Sequence, residues 1–305
     1  MNQLSQARSP YLLAHSTNPV DWMMWNDESI ALAREQRRTI HLSIGYSACH
    51  WCHVMAHESF SDPDTADFLN ESFINIKVDK EERPDLDMLY QLCHQALTGR
   101  GGGWPLTLFL EPESLIPFAA GTYYPKEGRN GMPSFTDILT QVNEIFHDKA
   151  EIIDWQSKNI SRFLKRQFIP KATVVDFGRE PINEAVEQLA LNYDSIYGGF
   201  GSAPKFPQTA HLHLLLRAYS HSLWHRSADK NALKMANFTL LAMARGGILD
   251  QLGGGFFRYS VDQEWTIPHF EKMLSDNGLL LDLYSDAWQA TYDEAFSSVI
   301  MLTAE

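Results

Sequence analysis

Cys49-His50-Trp51-Cys52 places two thiols with two residues between them. At the start of a helix this spacing brings both sulfurs together, and the helix dipole stabilises the thiolate of the first. The chemistry that follows is thiol–disulfide exchange, with Cys49 as the attacking nucleophile and Cys52 as the resolving thiol. His50 and His53 would either tune the thiolate through nearby positive charge or serve as surface or hydrogen-bonding residues. The same segment offers metal chemistry as an alternative, because His50, His53, His57 and Glu58 crowd it and Cys93-His94 could add ligands from elsewhere. His53 and His57 would share a helix face, yet no second Cys-x-x-Cys exists to close a structural zinc site. The expectation is therefore no metal and no cofactor. Cys93 follows Leu86, Leu89 and Leu92 on an apolar helical stripe and reads as core.

Trp104-Pro105-Leu106 is the second informative run. A proline just before a strand, facing a dithiol across a sheet, is either a cis peptide that shapes a groove for an extended substrate or a plain strand-opening residue. The residues alone leave both open. Trp51, Trp104 and Pro105 would border such a groove. The acids Asp79, Glu81, Glu82, Asp85 and Asp87 read as a solvated loop and a helix N-terminus, where the dipole favours them.

The elements that must hold these groups alternate. Asp27 to Arg38 is helix-like, and Thr39 to Ile44 is a β-rich run that stops at Gly45 and delivers the chain to the cysteines. Cys49 to His57 suits a helix, and Ser61-Asp62-Pro63 starts another. Phe73 to Val78 is the next strand, and Arg83 to Leu97 is a helix closed by Gly99. Leu106 to Leu110 and Ile116 to Tyr124 form an antiparallel pair, followed by a helix from Ser134. A central sheet flanked by helices, with the cysteines where a strand passes into a helix, is thioredoxin-like topology.

Beyond about residue 166 the strand signals stop. Helical stretches at Ile182 to Tyr193, Ala210 to Leu223, Ala228 to Ala244 and Asn277 to Thr291 make the second region all-α. Within it Tyr197-Gly198-Gly199-Phe200 returns as Gly253-Gly254-Gly255-Phe256, and the shared Gly-Gly-Phe triplets lie 56 residues apart. A period of that size suggests stacked helical hairpins. At 305 residues two domains are expected, 1–166 and 167–305.

A net charge of −13 argues against nucleic acid and against anionic lipid, since both demand clustered Lys or Arg. Met1 to Pro10 lacks the apolar core of a signal peptide, and no stretch offers about 18 uninterrupted apolar residues. A cytoplasmic protein without membrane attachment is the expectation. In a reducing compartment a close cysteine pair is more often catalytic or metal-binding than structural.

Taken together, the runs Ser9-Pro10-Tyr11-Leu12-Leu13, Asn18-Pro19-Val20-Asp21-Trp22, Leu42-Ser43-Ile44-Gly45-Tyr46, Cys49 to Met55, Glu81 to Asp85, Gly102 to Thr107 and Ala203-Pro204-Lys205-Phe206-Pro207 resemble the spermatogenesis-associated protein 20-like thioredoxin family. Asp250 to Phe256, Arg258 to Asp262 and Pro268 to Leu274 extend the likeness. The resemblance implies an α/β thioredoxin-like domain followed by an all-α region similar to the start of an (α/α)6 toroid. It implies redox-motif positions for Cys49 and Cys52, and the cis-proline position for Pro105. It further implies that the helical part is similar to the toroids of glycosidases and epimerases, with Asp250, Arg258, Tyr259, His269 and Glu271 as the residues of a toroid site. Asp262, Glu264 and Asp276 are further acids to weigh for glycoside chemistry. Six hairpins at the observed period would need roughly 340 residues, so an incomplete toroid is expected. Phe296, Val299, Ile300 and Leu302 on the last helical stretch would then lie uncovered and drive self-association. The partner expected on this reading is a protein or small-molecule disulfide. A sugar bound by the helical part and a non-enzymatic scaffold are the alternatives.

Overall fold

The structure, a computed structural model, describes residues 2–129, 131–168, 178, 180–224 and 229–305. The chain divides into two compact units, Met1–Ala172 and Thr173–Glu305. Among the described residues no helix is long and apolar enough to cross a membrane.

The first unit opens with the short helix α1 (Pro10–Leu13), strand β1 (Met23–Met24) and helix α2 (Asp27–Gln36). Asn26 caps α2 in a reciprocal box with Ser29, and Arg37 ends it in the left-handed conformation. Strand β2 (Thr39–Gly45) leads into α3 (His50–Met55), a five-residue π-turn over Ala56–Phe60, and α4 (Pro63–Ser72). Asp62 caps α4 and Pro63 occupies its first turn, which fits a residue that has no N–H to give. Strand β3 (Phe73–Asp79), α5 (Pro84–Thr98), β4 (Leu106–Leu110), β5 (Pro117–Gly121), α6 (Phe135–Asp148) and α7 (Ala150–Phe168) complete the unit. The sheet order is β1-β3-β2-β4-β5. Strand β2 runs parallel to β3 and antiparallel to β4, with Ile44 opposite both Val78 and Leu106.

Alternation along the strands divides the two faces by chemistry. Ile40, Leu42, Ile44, Ile74, Ile76, Val78, Leu106, Leu108 and Leu110 form an aliphatic face, closed by Leu86, Tyr90 and Cys93 of α5 and Ile160 of α7. The opposite face is aromatic and polar. His41 there stacks on Phe109 at 5.4 Å and bonds Asn75 at 3.0 Å, with Trp22, Phe60 and Phe135 around it. Burial pushes the His41 imidazole down to about 3, so it is neutral. Lys77 lies on the same face, fully buried, with its ammonium nitrogen 3.0 Å from Ser43 Oγ and over the rings of Trp22 and Phe60 at 4.4 and 4.5 Å. Those ring faces favour the charged form, but a single hydroxyl does not replace a hydration shell. Desolvation therefore prevails and holds Lys77 well below its ordinary value.

The second unit contains α8 (Glu180–Leu191), α9 (Thr209–Trp224), α10 (Lys230–Arg245), strands β6 (Tyr259–Ser260) and β7 (Pro268–His269), α11 (Leu274–Thr291) and α12 (Glu294–Ala304). It is helical but not purely so, because β6 and β7 form an antiparallel ladder that the sequence reading omitted. Asp262 builds the tight loop between them by accepting from the backbone N–H groups of Glu264, Thr266 and Ile267. The Gly-Gly-Phe echo is a repeated structure. In one copy Asp194 and Gly199 pair through their backbones, and Lys205 reaches Asp194 at 2.6 Å. In the other, Asp250 pairs with Gly255 and Lys272 reaches Asp250 at 2.6 Å. Both glycines of each pair have φ between +73° and +82°, the left-handed region that a side chain disfavours.

The last helix corrects one expectation. Phe296 and Val299 of α12 are buried against Tyr284 and the rest of the helical core, and Ile300 and Leu302 pack on its edge. The apolar face expected to stand uncovered is covered within the unit, because α12 folds back along α11 after a left-handed turn at Tyr292.

Candidate functional site

The dithiol sits where β2 ends. After Gly45 the chain turns through Tyr46 to Ala48, and Cys49 becomes the N-cap of α3. Cys49 and Cys52 are joined as a disulfide with their Cα atoms 5.3 Å apart, and both are almost fully buried. Cys49 Sγ also accepts the Cys52 N–H at 3.1 Å, so an orphan donor of the first turn points at the sulfur of the first cysteine. A sulfur held there is favoured as a thiolate.

Pro105 is cis to Trp104 and precedes β4, and Leu106 pairs with Ile44 at the end of β2. Of the three groove residues, the structure brings Trp51 and Trp104 together on a surface cavity of about 490 Å³. Pro105 is buried and does not line it. Thr122, Tyr123, Arg129 and Met132 complete the lining, and the sequence reading named none of them. They lie 70 or more residues from the cysteines, with only the β4–β5 pairing to carry them back. Tyr123 meets the Trp51 ring at 4.9 Å and donates to Glu58 at 2.5 Å, while Arg129 pairs with Glu58 at 3.2 Å. Burial, assisted by the Glu58 charge, pushes the Tyr123 hydroxyl up to about 12. Trp104 is fixed through its indole N–H, which donates to Asp87 at 2.8 Å.

The histidines of the segment do not converge. His53 Nε2 donates to the Ser47 carbonyl at 2.6 Å, and His50 meets the Trp51 ring edge-on. Glu58 is turned toward Tyr123 and Arg129, and His94 is buried on α5 beside Thr98. Cys93 is buried, and burial pushes its thiol up to about 12. The acid run needs one correction. Asp79 is buried rather than solvated, accepting from the Ser9 hydroxyl at 2.6 Å and from the Glu81 N–H.

In the helical unit the structure gathers Arg258, Tyr259, His269 and Glu271. Arg258 lies 4.0 Å from the buried Glu271 and 3.0 Å from Asp276, and His269 lies 3.7 Å from Glu271. The rings of Phe206, Tyr259 and His269 stack in sequence at 4.8 and 4.6 Å. Asp250 is occupied elsewhere, holding its own turn and Lys272, and those bonds hold its carboxyl down to about 2. The sequence reading missed a further group. His213 of α9 lies 3.7 Å from Asp282 and 3.9 Å from Asp286, offering a different ring nitrogen to each. Asp282 and Asp286 are one helical turn apart, and that spacing was the only signal for the pair.

A five-stranded sheet of this order, a Cys-x-x-Cys where β2 passes into a helix and a cis-proline opening β4 define a thioredoxin-like protein. The chain belongs to the Thioredox_DsbH family, described as "Protein of unknown function, DUF255", whose model matches residues 1–165. It is 42% identical to spermatogenesis-associated protein 20 of Homo sapiens over 98% of this chain and 38% of that protein. Against the protein of the same name from Rattus norvegicus the identity is 41%, again over 98% and 38%. The chain thus spans about 38% of the length of these curated relatives. A thioredoxin from Thermus thermophilus, solved in solution, is 22% identical and aligns with 42% of this chain and 91% of its own, with a TM-score of 0.33.

Proposed function

We propose that the chain is a thiol–disulfide oxidoreductase of a reducing, cytoplasmic compartment, acting through Cys49 and Cys52. The Cys49 thiolate attacks one sulfur of a client disulfide, forms a mixed disulfide and releases the other client sulfur as a thiolate. Cys52 then attacks Cys49 Sγ, closes the Cys49–Cys52 bond and releases the second client thiolate. Two electrons pass from the dithiol to the client, and the two dithiol protons end on the client or in water. The observation that carries this reading is the Cys49 sulfur itself, which caps α3 and receives the Cys52 N–H. Trp51, which lies between the two cysteines in sequence, and Trp104 give the client an aromatic wall, which suits an extended peptide better than a small polar disulfide.

Alkylation of the reduced protein tests the assignment. Iodoacetamide at neutral pH should modify Cys49 first, Cys52 more slowly and Cys93 only on unfolding, as resolved by peptide mass. Equal rates at Cys49 and Cys52 would remove the distinction between attacking and resolving thiol. A second reading, a sugar site in the helical unit, has one specific observation behind it. The Phe206–Tyr259–His269 stack lies beside the buried Glu271 and Arg258, an apolar ring face next to paired charges.

A further inference from the structure

The segment Ser9-Pro10-Tyr11 takes no part in the exchange chemistry above, yet it is clamped beneath the dithiol. The Ser9 hydroxyl accepts from the Leu12 N–H at 3.1 Å and donates to Asp79 at 2.6 Å, which pins α1 against the end of β3. Tyr11 is 2% exposed. Its ring meets His15 edge-on at 5.0 Å and lies under the Lys77 ammonium at 5.4 Å.

The Tyr11 hydroxyl is buried and makes no hydrogen bond among the described residues. A buried donor without an acceptor is costly and uncommon. Its position suggests what the acceptor is. A methyl group added at Gly45 would come within 2.2 Å of Tyr11 Oη and 2.8 Å of Cys52 Sγ. Hydroxyl and sulfur therefore face one another over the bare backbone of Gly45, and any larger residue there would part them. With Cys52 bonded to Cys49 its sulfur is a poor acceptor, whereas a thiol accepts weakly and a thiolate strongly.

We infer that Tyr11 is a positioning residue for the dithiol, its hydroxyl donating to Cys52 Sγ in the reduced protein and left without a partner in the oxidised one. Tyr11 thus stabilises the dithiol relative to the disulfide and biases the couple toward accepting electrons. Burial, reinforced by the Asp79 charge, holds the phenol far above its ordinary value, so it remains a donor at every physiological pH. This inference rests on the exchange reading.

The test is an equilibrium titration of the native chain and of Tyr11→Phe in glutathione buffers, read by acid quench, alkylation and mass. Two glutathione molecules reduce the Cys49–Cys52 bond to two thiols and leave as glutathione disulfide, so the equilibrium constant gives the potential directly. Tyr11→Phe keeps the ring and removes only the donor. It should shift the equilibrium about tenfold toward the disulfide, close to 30 mV more reducing for a two-electron couple. A shift under about twofold would overturn the role of Tyr11 and leave the exchange reading standing. A native dithiol that fails to equilibrate at all would overturn the exchange reading, and this inference with it. Tyrosine carrying 13C at Cζ, followed by NMR in the unsubstituted chain, avoids any dependence on folding of the variant. The Tyr11 signal should move when the disulfide is reduced, and a signal that stays in place contradicts the inference.

Discussion

Cys49→Ser should lower disulfide reduction, measured with insulin as client, by on the order of a thousandfold or more, to the uncatalysed background. A serine hydroxyl is not appreciably ionised at neutral pH and forms no stable bond to sulfur, so the first step of exchange is lost. The loss should be chemical rather than structural. Cys49 is the N-cap of α3, with its Sγ accepting the Cys52 N–H, and serine is among the preferred residues for that position. Circular dichroism and thermal unfolding of Cys49→Ser should therefore match those of the reduced native chain. The partner substitution, Cys52→Ser, separates the two roles, because it should still attack a client but accumulate a mixed disulfide that mass spectrometry detects. A Cys49→Ser chain with undiminished turnover would show that Cys49 is not the attacking group.

Stability of the first unit should fall steeply on mild acidification, the second large effect. Burial drives His15 down to about 2, with the Lys77 charge adding to it, and burial drives His41 down to about 3. Unfolded, both titrate near 6.5. Below that value the unfolded chain binds two protons that the folded chain refuses, so unfolding becomes more favourable as pH falls. Each histidine contributes up to about 1.4 kcal/mol per pH unit once pH is well below 6.5, or roughly 3 kcal/mol for the pair between pH 6.5 and 5. Lys77 acts with the same sign at any pH between its folded and unfolded values, where the unfolded chain binds the extra proton. The carboxylates held low by ion pairs, such as Asp62, lose their contribution only below about 4 and do not enter this window. Hydrogen exchange in peptides covering 39–45 and 73–79, corrected for intrinsic rates, should show the loss between pH 7 and 5. Equal protection at both would mean that both histidines accept protons in the folded chain.

The strands that carry the site were legible because their burial is sequence-local. Thr39 to Gly45 and Phe73 to Asp79 are buried along their whole length and bounded by turn residues. Helix ends were legible where a cap residue marks them, as at Asp62 and Gly99. The closeness of Cys49 and Cys52 was legible because two intervening residues at a helix start bring the sulfurs together. Three features were not. Met23–Met24 is too short for any period to register and exists only because β3 offers it an edge. The π-turn at Ala56–Phe60 follows from packing rather than from composition. Trp51 and Trp104 were read as groove residues, but Tyr123 and Arg129 were not, because no spacing rule joins that later stretch to them before the sheet does. Lys77 shows the same limit differently. Its place in the Phe73 to Val78 run gave no sign of its surroundings, and the structure shows it at 1% exposure among aromatic rings.

Cys49 and Cys52 should form a reversible two-electron couple in the native chain. Equilibrating the protein across glutathione redox buffers, quenching in acid, and alkylating and weighing the peptide that holds residues 49–52 tests it most directly. A single reversible transition is expected between a peptide with two alkylated thiols and one with none, while Cys93, buried on α5, stays outside the couple at every potential. A bond that remains closed throughout, thiols that remain open throughout, or disulfides formed with Cys93 would contradict it.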